Sequence, residues 1–280
     1  MRKALVVFAI GEKYTQILKQ NKTQFINYAK KNDADFIIVD DFLDKTQKRN
    51  VLYQKLLIPN HFKQYDLVLF LDLDIIISKK CPSIFDLLPE DKGFGAVLSP
   101  RNKKKFKLHY SSRPEILNET VETYFTSRNF VFENELEKQF IIKNGGNING
   151  GVLIFRPKLI SELFYNYYYS NHHQGEKEAF EEAPMSFLSQ KNHLFFSIDE
   201  KYNTEFFFEY YEDRPISKKI YRIKSNTIYK IINRILIKIF KIEPDSLIYA
   251  YQKKLKKELL EDVYILHFSG FISEKLYTKN

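Results

Sequence analysis

Residues 65–77 read YDLVLFLDLDIII, a run of large apolar side chains interrupted by Asp72 and Asp74. Every position from Leu67 to Leu71 is apolar, which is typical of a central parallel strand covered on both faces. In a continuous strand the two aspartates would project from the same face and repel each other. A divalent cation with oxygen ligands, Mn²⁺ or Mg²⁺, would relieve that repulsion at the carboxyl end of an open α/β sheet, where such sheets bind ligands. The alternative is that one aspartate caps a turn or helix while the other is solvated.

The composition predicts a folded and soluble protein. With 280 residues, of which 44% are hydrophobic, the chain can bury a full core. Its single cysteine, Cys81, excludes a disulfide within the chain and a cysteine-based zinc site, which indicates a reducing compartment. The opening residues, MRKALVVFAIGEKY, match a first strand better than a signal peptide, and no apolar stretch has the length of a membrane span. We therefore expect a cytoplasmic protein that is soluble or at most peripheral on the inner face of the membrane.

The formal charge of +9 is concentrated near the C-terminus. Residues 214–262 contain 13 Lys or Arg against five Asp or Glu, so the rest of the chain is close to neutral. Within this region, 225–241 places Lys230, Arg234 and Lys238 at helical spacing against a row of isoleucines, which predicts an amphipathic helix with a cationic stripe. Such a helix either lies against an anionic membrane surface or packs with its lysines facing water.

The order of the apolar segments predicts an α/β fold with a parallel sheet and helices on both faces. Strands and helices alternate at the start of the chain, in the order 3–10, 14–31, 35–41, 49–63 and 65–77. Further strands are expected in 95–99, 144–157, 194–203 and 264–271, and further helices in 159–169 and 225–241.

The same segments predict a division of the chain. We expect a catalytic domain in residues 1–210, a basic helical appendage in 211–262 and a C-terminal segment, 263–280, that returns to the site. Residues 101–146 show no clear period, which indicates an insertion or a mobile loop over the site.

Five motifs resemble, in their order and spacing, the GT-A glycosyltransferases, and within them family 8 and its bacterial relatives that build lipopolysaccharide or capsule. The motifs are AIGEKY at 9–14, RNVLYQKLLIP at 49–59, YDLVLFLDLD at 65–74, NINGGVLIF at 147–155 and LHFSG at 266–270. The resemblance implies a Rossmann-like central sheet, mixed but mostly parallel and flanked by helices, with the basic helical region as a C-terminal appendage.

The resemblance assigns the metal ligands. In the family, the D-x-D aspartates bind Mn²⁺, which holds the diphosphate of a nucleotide sugar, and a histidine near the C-terminus completes the protein ligands. This implies that Asp72, Asp74 and His267 bind Mn²⁺ or Mg²⁺, and that Leu73 lies beside the ribose through its backbone. The alternative for His267 is a buried or surface histidine with no ligand role.

Several donor-binding residues are implied as well. Gly270 would let the backbone approach the phosphates, and Lys275 stands for a family lysine, although its offset differs by two residues. Tyr14 corresponds to the aromatic residue that contacts the base, with Ala9 and Gly11 shaping the uridine pocket. A core tyrosine on the first helix is the alternative for Tyr14.

Three further residues are candidates on the donor side. Asp41 closes the second strand and is expected either to accept a hydrogen bond from uracil or ribose or to be a turn residue. Lys55 matches the cation of the family's Y-x-R/K pair, which faces the donor phosphate or sugar. Arg49 is the rival candidate for that task.

Two motifs are implied to contact the transferred sugar. In NINGGV, Asn149 would lie against the donor sugar, with Gly150 and Gly151 beneath it. The family's D-Q pair corresponds to the stretch around Glu182, which we take as its acidic member, while Ala183 stands where glutamine is usual. A helix N-terminal acid stabilised by the helix dipole is the alternative for Glu182.

The resulting hypothesis is a metal-dependent hexosyltransferase that moves galactose or glucose from a UDP-sugar to a glycan acceptor of a bacterial surface polysaccharide, with retention of configuration. A nucleic-acid-binding module using the basic aromatic C-terminal region is one alternative, although no nucleic-acid motif accompanies that region. A sugar nucleotidyltransferase is the other, although AIGEKY lacks the glycine-rich basic loop of those enzymes.

Overall fold

The fold is given by a computed structural model that describes residues 1–47, 49–99, 114–117, 119–127, 130, 132, 134–170, 181–212, 214–240, 246–269 and 275–278. The strands are β1 (Lys3–Phe8), β2 (Asp35–Val39), β3 (Leu67–Leu71), β4 (Ile75–Ile77), β5 (Phe94–Leu98), β6 (Ile148–Phe155), β7 (Phe195–Ile198), β8 (Thr204–Glu205) and β9 (Ile265–His267). The α-helices are α1 (Glu12–Lys31), α2 (Ile58–His61), α3 (Pro114–Leu117), α4 (Val121–Ser127), α5 (Glu135–Asn144), α6 (Pro157–Tyr169), α7 (Glu182–Lys191), α8 (Phe206–Tyr211), α9 (Pro215–Ser225), α10 (Thr227–Phe240), α11 (Ser246–Asp262) and α12 (Lys275–Thr278). Short 3₁₀ helices lie at Tyr53–Leu57, Ile84–Asp86 and Glu200–Tyr202.

The main sheet has six strands in the order β2-β1-β3-β6-β5-β7. Five of these strands run in one direction, and only β6 runs against its two neighbours. β3 lies near the centre with all five side chains buried, as its unbroken apolar run predicts. The predicted mixed, mostly parallel α/β fold is confirmed.

Alternating side chains of the central strands divide the core into two layers. Leu69 of β3 faces the layer that holds α1, while Phe70 faces the layer that holds α2 and α6. On α1, Phe25 is fully buried, whereas the neighbouring Ile26 is 41% exposed because it lies about 100° further around the helix. Burial of each such large side chain contributes about 1.5–3 kcal/mol, so the helices are held to the sheet mainly by these contacts.

A second, three-stranded sheet joins distant parts of the chain in the order β4-β9-β8. The 65–77 segment, expected as one strand, breaks after Leu71, and β4 leaves the main sheet to pair antiparallel with β9. His267 therefore lies opposite Ile75 in β4 and opposite Glu205 in β8. This small sheet brings the C-terminal histidine next to the D-x-D segment.

Two predicted segments differ from the structure. Residues 49–63 contain a 3₁₀ helix and the one-turn α2 instead of one long helix, because Pro59 lacks an amide hydrogen and its ring would clash with the carbonyl four residues earlier. Within 101–146, residues 101–113 lie outside the described chain, while α3, α4 and α5 show that most of the rest is helical. The aromatic residues of this segment, including Phe125 and Phe130, pack on Phe187 of α7, a tertiary contact that no local period reveals.

The basic region is helical, as predicted. Ile220 of α9 and Leu255 of α11 are buried in the same core layer as α1. In contrast, α10 leaves Ile228, Ile231 and Ile232 exposed at 67%, 51% and 47%. None of the helices in the described part of the chain is both long and apolar enough to cross a bilayer.

Candidate active site

A pocket of about 250 Å³ opens at the carboxyl ends of β1 and β3, where open α/β sheets bind ligands. One wall is charged and consists of Lys55, Asp72 and Asp74. The remaining lining is mainly apolar and aromatic, and it comprises Phe8, Ile10, Lys13, Tyr14, Ile17, Val51, Leu52, Leu73, Phe268 and Tyr277. A site of this kind can hold a flat apolar ring, and it can hold an anionic group beside the aspartates only when a cation lies between them.

The acids of D-x-D and the C-terminal histidine come together at the charged wall. One potential ligand atom from each of Asp72, Asp74 and His267 lies within 4.8 Å of the others. The His267 Nε2 is 3.3 Å from Asp74 Oδ1 and 4.0 Å from Asp72 Oδ2. Two carboxylates and one imidazole are a donor set that fits Mn²⁺ or Mg²⁺ with water or substrate oxygens in the remaining positions.

The backbone fixes this geometry from two directions. The Asp72 amide donates to the carbonyl of Gly151 at 2.9 Å, and the Phe268 amide donates to the carbonyl of Asp74 at 2.8 Å. The aspartates therefore meet at a bend between β3 and β4, not along one extended strand as the sequence suggested.

The two aspartates and the histidine change each other's pKa values. Burial alone would lower the pKa of His267, but attraction by Asp74 and Asp72 outweighs it and raises the pKa to about 9. Burial raises the pKa of Asp72, and only part of that effect is offset by Lys55. A divalent cation would replace the imidazole proton at Nε2 and neutralise the carboxylates, which is the usual coupling between metal binding and proton release.

A buried ion cluster adjoins Asp72, Asp74 and His267. The Lys55 ammonium, 3% exposed in its side chain, lies 3.1 Å from Asp72 Oδ1 and 2.9 Å from Glu181 Oε1, and it donates to the carbonyl of Gly150 at 3.1 Å. Burial raises the pKa of Glu181 to about 7 despite the attraction of Lys55. Glu181 Oε2 is buried without a hydrogen-bond partner among the described residues.

Glu181 is thus a candidate that sequence reasoning missed in favour of its neighbour. Glu182 turns the other way, where its Oε1 accepts from the Gly150 amide at 2.8 Å and its Oε2 accepts from the Tyr124 hydroxyl at 2.7 Å. Both are acidic and adjacent, so only the start of α7 at Glu182 decides which of them meets Lys55.

The two glycines of β6 make room for these side chains. A Cβ on Gly150 would lie 2.7 Å from Glu181 Oε1, and a Cβ on Gly151 would lie 2.4 Å from His267 Cε1. Gly151 therefore lies against the histidine ring, a contact that no sequence pattern indicates.

The sequence profile of glycosyl transferase family 8 matches residues 2–275, which is nearly the whole chain. The chain belongs to glycosyl transferase family 8. This family 8 protein is therefore a glycosyltransferase, and family membership decides against the nucleic-acid-binding and nucleotidyltransferase alternatives.

Solved structures agree with the GT-A fold of this family 8 glycosyltransferase. A glycosyltransferase involved in the glycosylation of the major capsid of PBCV-1 matches with a TM-score of 0.53 and 10% identity, over 100% of this chain and 98% of that one. The bifunctional WbbM, in its apo structure, matches with a TM-score of 0.52 and 11% identity, over 96% of this chain and 46% of that one. The galactosyltransferase LgtC, solved with donor and acceptor sugar analogs, is similar with 13% identity over 95% of this chain and 87% of that one, but its TM-score of 0.44 is too low to bear on the fold. No curated protein matches the chain by sequence.

Some donor-binding candidates of the family 8 enzyme lie away from the pocket lining. Arg49 lies between the rings of Tyr53 and Tyr168, 5.0 and 5.1 Å from their centroids, so it ties the loop before the 3₁₀ helix to α6. Lys55, and not its rival Arg49, is the cation beside Asp72. Asp41 is exposed and pairs with Lys45 on the surface.

Three of the other donor-binding candidates lie at or near the pocket, and two fall wholly or partly outside the described part of the chain. Ala9 is buried at the end of β1, and Gly11 has a φ of +87°, which favours glycine at the start of α1. Tyr14 lines the pocket and is 40% exposed, so it is not a core residue. Gly270 lies outside the described residues, as does the side chain of Lys275, whose backbone begins α12.

Asn149, implied as a contact of the donor sugar, lies beside the histidine. Its Oδ1 lies 3.1 Å from His267 Nδ1 and accepts from the Gly151 amide at 3.0 Å.

Proposed function

We propose that this glycosyltransferase transfers a hexose, galactose or glucose, from a UDP-sugar to a glycan acceptor. The observation that carries the proposal is the pocket, which is lined by Asp72 and Asp74 and by aromatic residues that include Tyr14 and Phe268, with His267 beside the two aspartates. A uracil ring suits the aromatic lining, and a diphosphate suits the aspartates only when a cation is bound there.

Asp72, Asp74 and His267 would hold Mn²⁺ or Mg²⁺. When bound, the cation would offset the negative charge that develops on the leaving diphosphate. The chain's own residues orient the donor around it, with the Leu73 backbone beside the ribose and Tyr14 beside the base.

Catalysis is assigned to the residues around Gly150 and Gly151. Lys55 fixes the orientation of Asp72 and Glu181, since it pairs with both. We assign Glu182, held by Gly150 and Tyr124, to the donor hydroxyls or the acceptor, as its half-buried position allows. Retention of configuration follows from the resemblance to the family and is part of the proposal.

A thermal unfolding series tests the donor and the metal together. UDP with Mn²⁺ should raise the melting temperature by more than the two shifts measured separately, because each ligand completes the site of the other. Asp74→Asn should remove this synergy while leaving the melting temperature without ligands within a few degrees. Equal shifts in the variant and the wild type would refute the assignment of Asp74.

A panel of UDP-sugars then identifies the hexose. Metal-dependent hydrolysis should be fastest with UDP-galactose or UDP-glucose, and NMR of the first product formed would show whether the anomeric configuration is retained. Equal hydrolysis of all sugars, or hydrolysis that ignores EDTA, would count against the proposal.

We further propose that the acceptor belongs to a bacterial surface polysaccharide assembled at the inner leaflet, and that α10 contacts the anionic lipid there. The support is that α10 exposes Ile228, Ile231 and Ile232 next to a cationic stripe that includes Lys230 and Arg234. Sedimentation with phosphatidylglycerol vesicles, but not with phosphatidylcholine vesicles, should require Ile231. Ile231→Asp should release the protein, whereas Lys254→Asp on α11, where the side chain is 63% exposed, should have little effect. Binding unaffected by Ile231→Asp would rule out α10 as the contact.

The division into a catalytic domain at 1–210, a basic appendage at 211–262 and a returning segment at 263–280 remains part of this proposal, together with a cytoplasmic location.

A further inference from the structure

A side chain that the function has not yet used, Asn203, contacts the non-ligating side of His267. The Asn203 Oδ1 lies 3.0 Å from His267 Nδ1, and Asn149 Oδ1 lies 3.1 Å from the same nitrogen. All three residues are buried, with exposed fractions of 2% for Asn203, 6% for Asn149 and 3% for His267. Two oxygens thus converge on one ring nitrogen in a site from which water is largely excluded.

The amide orientations follow from their other partners. Asn203 Nδ2 donates to Asn149 Oδ1 at 2.7 Å, which leaves Asn203 Oδ1 to face the histidine. Asn149 Oδ1 also accepts from the Gly151 amide, so it cannot be exchanged for the amide nitrogen without losing that bond. Amide oxygens only accept hydrogen bonds, so the ring nitrogen between them must carry a proton.

That proton decides what the opposite nitrogen can do. When Nδ1 carries the hydrogen, the neutral imidazole has its free lone pair on Nε2, which points at Asp74 and Asp72. A lone pair at that position is what a metal ligand requires, and a hydrogen bond to the other nitrogen is the usual way in which proteins fix it.

Hydrogen bonds within the protein fix the backbone around Asn203. Asn203 ends the 3₁₀ helix Glu200–Tyr202, which is capped by Asp199, and its own amide donates to the carbonyl of Glu200. The next residue begins β8, which pairs with the strand of His267. The amide is therefore placed one residue before β8 and the ring on the neighbouring strand β9.

We propose that Asn203 is a positioning residue of the metal site, which fixes both the ring orientation of His267 and the nitrogen that binds the cation. The proposal rests on the metal site assigned above. Asn203 acts through His267 and has no contact with the cation itself.

The test measures Mn²⁺ binding in the absence of donor, with the electron paramagnetic resonance signal of free Mn²⁺ as the readout. Asn203→Ala should weaken binding by about 10- to 100-fold, the usual effect of removing a partner of a metal-binding histidine. Asn203→Asp keeps an acceptor oxygen beside Nδ1 and should bind Mn²⁺ within about threefold of the wild type or more tightly, because a carboxylate partner raises the basicity of the imidazole. A purely structural role predicts the opposite order, since an added buried carboxylate beside Asn149 is the more disruptive change.

Asn32→Ala is the matched control. Asn32 is also buried, with an exposed fraction of 7%, and its Nδ2 donates to the Tyr28 carbonyl at 2.7 Å at the end of α1 far from the pocket. It should lose stability without losing Mn²⁺ affinity. Unchanged affinity in Asn203→Ala, or equal weakening in Asn203→Asp, would overturn the proposal. If the wild type itself did not bind Mn²⁺, the proposed metal site would be refuted, and the role of Asn203 with it.

Discussion

Replacing Gly151 by alanine tests whether the proposed metal site depends on the absence of a Cβ at this position. The new Cβ would lie 2.4 Å from His267 Cε1 and 2.5 Å from Nδ1, whereas ordinary contacts begin near 3.4 Å. To relieve this overlap, the ring must move by about 1 Å, or β6 must move away from it. A shift of that size exceeds the tolerance of metal–ligand distances, which is about 0.2 Å. His267 Nε2 would leave the position in which it faces Asp74 and Asp72.

The expected cost has two parts that can be measured separately. Forcing a methyl group into this packed position should lower the free energy of unfolding by about 1–3 kcal/mol. Displacing a metal ligand should raise the Kd for Mn²⁺ by at least about 100-fold, which corresponds to about 3 kcal/mol. Urea unfolding without metal reports the first part, and titration of free Mn²⁺ by electron paramagnetic resonance reports the second.

Gly146→Ala is the control for Gly151→Ala. At Gly146 an added Cβ would meet only the Leu98 side chain at 3.4 Å, which is ordinary contact, so both stability and Mn²⁺ affinity should stay close to wild type. A folded Gly151→Ala protein that binds Mn²⁺ within about threefold of the wild type would refute the reasoning, because it would show that His267 can bind from another position or is not a ligand.

Three further predictions concern the charges near the pocket. Lys55→Met should lower the free energy of unfolding by about 3–5 kcal/mol in urea titrations, because Asp72 and Glu181 lose their buried cation; a loss below about 1 kcal/mol would contradict this. Burial raises the pKa of Glu181 from 4.5 to about 7, so between these pH values the folded protein holds a proton on Glu181 that the unfolded chain releases. The free energy of unfolding of the wild type therefore falls as pH rises from about 4.5 to about 7. The free energy of unfolding of Glu181→Gln, measured in urea relative to that of the wild type, should therefore rise by up to about 3 kcal/mol between pH 5 and pH 8. A difference between the two proteins that does not change with pH would disprove the raised pKa of Glu181. Arg49→Ala should lower the melting temperature through loss of its contacts with two tyrosine rings and keep the UDP–Mn²⁺ synergy, and loss of that synergy would return Arg49 to the donor site.

The parts of the fold that were predictable are those with a local cause. The unbroken apolar run of β3 specifies a central strand, and the abrupt change to Asp72 marks the end of the sheet where ligands bind. The apolar stripe of α1 likewise follows from helical spacing, with Phe25 and Ala29 buried.

The parts that were not predictable depend on contacts between distant segments. β8 has only two residues, too few for a period to identify. A strand was expected in 264–271, where β9 lies, but no local pattern shows that it pairs with β8 and so brings Asn203 and His267 together. The choice of Glu181 over Glu182 depends on where α7 begins, which capping rules do not locate to within one residue. The steric need for Gly151 arises from a ring 116 positions later in the chain, and no local pattern encodes it.

Gly150 and Gly151 also explain why two charged clusters can lie so close together. Successive residues of a strand face opposite sides of a sheet, so one glycine gives space to Glu181 while the next gives space to His267. Asp72 follows the adjacent strand β3 and takes part in both clusters: Lys55 lies 3.1 Å from its Oδ1 and 3.3 Å from its Oδ2, and His267 Nε2 lies 4.0 Å from Oδ2.

This shared carboxylate couples the two clusters. Burial is the main cause of the raised pKa of Glu181; the negative charges of Glu182 and Asp72 add to it, and Lys55 opposes it. A cation bound to Asp72 would reduce the repulsion between Asp72 and an ionised Glu181. Metal loading should therefore lower the pKa of Glu181 only by the small part of its shift that Asp72 causes, because the effect of burial is unchanged.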